Sequence, residues 1–75
     1  MDSTTVTELA RVRRLTKSGE AAAIRERSGL SLAELARAVG VHPSTLWRWE
    51  TNGRKPRGEK AARYLATLDA LKRAQ

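Results

Sequence analysis

The residues of this chain best suited to act on another molecule lie between His42 and Arg57. Arg48 carries a planar fork of donors that matches the O6 and N7 acceptors of guanine, a contact worth about 1–3 kcal/mol of discrimination. Ser44 can reach a base or a phosphate. Pro43 has no donor but can press on a thymine methyl. Trp47 and Trp49 would point about 200° apart on a helix, so both cannot face one core. Trp49 shares a face with Leu46 and reads as core. Trp47 then turns outward with Ser44 and Arg48, where an exposed indole favours contact with a partner; the alternative is rim packing against Arg or Lys stems. His42 is either a helix cap or a phosphate donor. Arg54, Lys55 and Arg57 form a basic turn suited to phosphates. The expected base-contacting set is therefore Pro43, Ser44, Trp47 and Arg48. The expected phosphate-contacting set is His42, Thr45, Asn52, Arg54, Lys55 and Arg57.

The same inventory argues against catalysis. The chain has no cysteine and a single histidine, too few for a zinc site or a Cys/His nucleophile. No Ser/His/Asp set, paired carboxylates or glycine-rich phosphate loop stands out. No enzyme activity, cofactor or metal is expected. With 75 residues there is one small domain, which buries only about 60% of its unfolded surface, and no disulfide to brace it. The net charge is +7, and arginine supplies 11 of the 15 basic residues. Such a balance points to a polyanionic partner, usually nucleic acid. The excess is +2 over residues 1–17, zero over 18–41, +3 over 42–58 and +2 over 59–75. It is densest at the residues singled out above. No apolar run approaches the roughly 18–20 residues that span a bilayer. The start, Met1-Asp2-Ser3-Thr4-Thr5, lacks the basic and apolar regions of a signal peptide. A soluble cytoplasmic protein with no membrane partner is expected.

These side chains must be held by short helices. Ala, Leu, Arg and Glu dominate, and nothing alternates with a period of two. Thr5 with Glu8 predicts a capping box at the start of a helix over about 6–15. Ser18 is the expected N-cap of a second, over about 19–28, with Ala21, Ile24 and Ser28 on one side and Gly29 ending it. Ser31 with Glu34 opens a third, over 32–39, closed by Gly40. A fourth starts at Pro43, favoured in a first turn, with His42 at the N-cap, and stops at Asn52-Gly53. A fifth, over about 58–73, carries Ala61, Tyr64, Leu65, Leu68 and Leu71 on one stripe. The fold class is all-α: a compact bundle of about five short helices. Residues 1–17 form an N-terminal extension, expected to be helical, and residues 18–75 the main domain.

The third and fourth helices have a distinctive junction. Ala36 is small where two helices must approach. Gly40 sits where the chain must turn with positive φ. Leu35, Val39, Val41, Leu46 and Trp49 would fill the angle between the helices. This is the pattern of a helix-turn-helix unit. The stretch from Gly29 to Pro56 resembles the lambda repressor/Cro-type, or Xre-like, family, and the similarity extends from about Ser18 to Leu68. Two positions differ: Leu32 stands where the family often has Gln, and His42 where it often has Ser or Thr. The resemblance implies a lambda repressor-like fold that binds double-stranded operator DNA, commonly as a two-fold dimer with a two-fold symmetric site. It further implies a sequence-specific transcriptional regulator of the phage or prophage repressor or Cro type. An excisionase-like or plasmid-control factor, or an antitoxin-type protein-interaction module, are the alternatives.

Three expectations concern packing. Arg25 lies beside core-facing Ile24 and Glu50 follows core-facing Trp49, so the two are expected to pair and pin the fourth helix; the resemblance favours this, and two solvated charges are the alternative. Leu9, Val12 and Leu15 are expected to pack on the last helix, within one chain or across a homodimer. Arg11, Arg13 and Arg14 form either a further DNA arm or a solvated helix face.

Overall fold

The computed structural model describes residues 5–75; the reading of Met1–Thr4 lies outside them. The helices are α1 (Val6–Lys17), α2 (Glu20–Arg27), α3 (Leu32–Val39), α4 (Pro43–Glu50) and α5 (Gly58–Ala74), with no strand among the described residues. Local chemistry accounts for their ends. Glu8 N–H donates to Thr5 Oγ1 at 3.1 Å and Thr5 N–H to Glu8 Oε1 at 3.0 Å, which opens α1. Ser31 and Glu34 repeat this box at 3.1 and 2.8 Å and open α3. Each box satisfies amides that a helix start would otherwise leave without partners.

The α1–α2 junction differs from the sequence expectation. α1 continues to Lys17, and Ser18 is its C-cap rather than the N-cap of α2. Gly19 takes the N-cap place at φ 86°. The left-handed backbone reverses the chain in one residue, which glycine permits without a steric penalty. The Ser18 hydroxyl still accepts from Glu20 N–H, at 3.3 Å.

α5 is the spine on which α1, α2 and α3 assemble, and α4 is carried mainly by α3. Tyr64 and Leu68 are fully buried on it, beside Val12 of α1, Ile24 of α2, Leu35 and Val39 of α3, and Leu46 of α4. α1 packs on α5, with Leu9 and Leu15 half-buried around Val12 and an Arg11–Asp69 ion pair of 3.0 Å at the rim. The apolar set of α1 is thus used within one chain. At the α3–α4 turn, Gly40 has φ 87°, and the Gly40 and Val41 amides both donate to Ala36 O, at 2.8 and 3.0 Å. Ala36 is fully buried where α3 and α4 meet. No helix is long and apolar enough to cross a membrane, and no group of three His, Cys, Asp or Glu could hold a metal ion, among the described residues.

Candidate nucleic-acid interface

α4 divides its residues cleanly between two faces. Leu46 and Trp49 are buried, at 0% and 4% exposure. Ser44, Trp47 and Arg48 are exposed, Trp47 at 55%. The Arg48 side chain has no hydrogen bond or ion pair among the described residues, so its donors are available. Pro43 and Thr45 are half-buried at the margin of the exposed face.

Two contacts fix this helix to the scaffold. Arg25 of α2 donates through Nε and Nη2 to the Glu50 carboxylate, at 2.7 and 3.0 Å. The side chains are only 14% and 6% exposed. A third donor, Nη1, reaches Leu30 O at 2.9 Å and ties the pair to the α2–α3 turn. The hydrogen bond to Glu50 raises the Arg25 pKa above its ordinary value, against the opposing effect of burial. The second contact joins α4 to α5: the Trp49 and Tyr64 rings lie 5.0 Å apart at 31°. The Tyr64 hydroxyl is buried and has no hydrogen-bond partner among the described residues. Burial pushes this phenol well above its usual range, the Glu50 charge adds to that, and Arg25 opposes it.

The two ends of α4 present different chemistry. At the start, Pro43 occupies the first turn and His42 Nδ1 accepts from Ser44 N–H at 3.1 Å. Nδ1 also lies 2.8 Å from Ser44 Oγ. With Nδ1 accepting, the ring proton resides on Nε2, the nitrogen that can donate to a partner. His42 is thus a cap by geometry and retains a donor. At the other end, Asn52 adopts φ 64°, and the Gly53 and Arg54 amides both donate to Arg48 O, at 2.8 and 3.2 Å. Pro56 is buried and accepts from Arg13 Nε of α1 at 3.0 Å. The loop backbone is held from inside, while Arg54, Lys55 and Arg57 remain exposed.

The structure gathers only part of the expected phosphate set. Thr45, Arg54, Lys55 and Arg57 line one shallow hollow. His42 is not among the lining residues, although its chain neighbours Val41 and Thr45 are. Asn52 lies on the other side of the loop, in a cleft shared with α1. Lys60, which the sequence reading passed over, joins the hollow. The signal for it in the sequence is its place in the first turn of α5, next to the basic loop. Arg14 and Lys17 of α1 likewise share the cleft with Asn52, Arg54 and Lys55. Arg11 and Arg13 are engaged by Asp69 and Pro56 respectively.

Comparison with known proteins agrees with this geometry. The family model described as Helix-turn-helix (HTH_3) matches residues 22–72. Neither the curated proteins nor the solved structures yield a significant match. The matched span contains α3, its glycine turn, α4 with its buried and exposed faces, and most of α5. The chain belongs to the Cro/C1-type helix-turn-helix family, a family of DNA-binding proteins of the transcription-regulator type.

Proposed function

We propose that this chain is a sequence-specific repressor of the phage-repressor or Cro type, acting in the cytoplasm by occupying a two-fold symmetric operator as a homodimer and occluding a promoter. α4 enters the major groove. Arg48 reads guanine, Trp47 and Pro43 contact thymine methyls or sugars, and Ser44 reaches a base or phosphate. Arg54, Lys55 and Arg57, joined by Lys60 and by Thr45 of the first turn of α4, hold the backbone beside the helix, and His42 holds it at the helix start; Asn52 adds a backbone contact from the far side of the loop.

The observation that carries this reading is the asymmetry of α4. One face is locked by Trp49 and the Arg25–Glu50 pair, and the opposite face offers an exposed indole and an unengaged guanidinium. A groove-reading helix needs both: rigidity behind, and donors in front that no intramolecular partner satisfies. Selection of binding sites from a random duplex pool, followed by footprinting, tests it. The expected result is a short motif with inverted half-sites about one helical turn apart. Recovery of no enriched sequence overturns sequence-specific binding, and a single unpaired half-site overturns the symmetric operator.

A further inference from the structure

Beyond the contacts assigned above, a second group of cations meets across the α1–loop boundary. Arg13, Arg14 and Lys17 of α1 and Arg54 and Lys55 of the α4–α5 loop surround a cleft of about 470 Å³, with Asn52 at its edge. None of these five cations has a carboxylate partner among the described residues. Arg13 is engaged by Pro56 O, which fixes α1 against the loop. Arg14 and Lys17 are exposed, as are Arg54 and Lys55. Holding like charges together without counter-charges raises the energy of the unbound protein, and a polyanion relieves it. α1 lies outside the span matched by the family model, so the family's own DNA contacts do not account for this lip of the cleft.

We propose that α1 is an added backbone clamp: Arg14 and Lys17 bind phosphates of the DNA flanking the segment read by α4, and so lengthen the footprint beyond what the helix-turn-helix unit covers. Two features select a nucleic-acid strand over a small anion. Arg54 and Lys55 line this cleft and also the hollow beside α4, so the basic surface is continuous with the proposed groove-facing site. The cleft is also rimmed by long exposed side chains on two lips, which suits a backbone passing between them. The proposal rests on the DNA-binding reading of α4.

The test uses the full chain and its selected duplex, with affinity measured against salt concentration. Arg14→Ala/Lys17→Ala is expected to make the plot of log K against log salt shallower by about 0.9 for each phosphate no longer neutralised, or about 2 per bound chain. Specific and unrelated duplexes should weaken by the same factor, and ethylation of the outermost footprint phosphates should cease to interfere. Alanine favours helix, so the thermal melt should not move; Arg14→Gln/Lys17→Gln provides a second neutral pair. Lys72→Ala/Arg73→Ala, about 20 Å along α5 from the loop, should leave the slope unchanged. An unchanged slope for the α1 variants, while Arg48→Ala and Lys55→Ala weaken binding, overturns the α1 clamp and leaves the α4 reading intact. No binding by the wild-type chain to any duplex overturns both. Stabilisation of the wild type by millimolar inorganic phosphate, with an unchanged DNA salt slope in the α1 variants, would assign the cleft to a small anion and also overturn the clamp.

Discussion

Arg25 and Glu50 form a forked pair in a site where neither charge is well solvated. Removing one member of such a pair strands the other, at a typical cost of about 3–5 kcal/mol. The two single substitutions should differ. Arg25→Ala leaves the more deeply buried carboxylate alone and also releases Leu30 O, so it should be more destabilising than Glu50→Ala. The double variant should recover part of the sum, and denaturant melts of all three complete the cycle. Strict additivity, with each single change under about 1 kcal/mol, would argue that the pair contributes nothing. Tyr64 invites the opposite experiment. Its ring packs on Trp49, but its hydroxyl is buried without a partner. A buried unsatisfied polar group costs about 1–3 kcal/mol, so Tyr64→Phe should be at least as stable as the wild type; a clear drop in stability would mean that the hydroxyl has a partner. On the exposed face, Arg48→Ala should weaken specific binding by about 1–3 kcal/mol and relax preference at one base pair per half-site. Lys55→Ala should weaken all sequences alike and shallow the salt dependence. Identical behaviour in a binding titration would abolish the distinction between reader and clamp.

At the scale of elements, the α3–α4 junction depends on one backbone conformation. A Cβ on Gly40 would carry a side chain at φ 87° and would meet Lys60 Nζ at 3.0 Å. The lysine tip can move; the backbone strain cannot be relieved without opening the turn. Ala38 is exposed. Gly40→Val should therefore lower the melting temperature more than Ala38→Val does, and equal melts would contradict the turn geometry. The start of α3 carries a pH-dependent contribution. The Ser31 backbone N–H, and secondarily its hydroxyl, hold the Glu34 carboxyl below its usual pKa. A carboxylate with a depressed pKa in the folded state stabilises above its unfolded pKa, and the effect fades as pH falls through the folded value. The melting difference between wild type and Glu34→Ala should be largest near neutrality and shrink in acid. A difference independent of pH would point to helix propensity alone.

The whole molecule depends on α1, although the helix-turn-helix unit does not include it. Val12 is fully buried, and Leu9 and Leu15 pack around it. Each buried aliphatic side chain contributes about 1.5–3 kcal/mol, against a total of about 4–11 kcal/mol for a domain of this size. A chain lacking residues 1–16 should therefore be marginal, with a much lower melting temperature, and equal stability would reduce α1 to an appendage. Sedimentation of the full chain with and without its operator checks the proposed dimer. Because the α1 apolar set is consumed within one chain, deleting it should lower stability without changing the oligomeric state, and loss of the dimer on deletion would place α1 at the subunit interface.

Helix positions were legible in the sequence because they follow from local rules. Capping pairs three residues apart, a proline at a first turn and a glycine at positive φ act within a few bonds of themselves. The outward turn of Trp47 was legible too, since helical pitch alone separates it from Trp49. Even there, local cues misled once: Ser18 has the chemistry of an N-cap, yet its N–H donates to Arg14 O at 3.0 Å and it closes α1, while Gly19 at φ 86° opens α2. What no local rule contains is which distant side chains share a surface. Asn52 and Lys60 are both near the basic loop in sequence, but the fold sends them to opposite sides of it. Arg11, Arg13 and Arg14 are near neighbours in sequence, yet Asp69 takes the first, Pro56 O the second, and the third lines a cleft with residues about forty positions away. Those assignments depend on how α1 lies across α5 and the loop, a packing decided by the whole apolar core and by no segment of it alone.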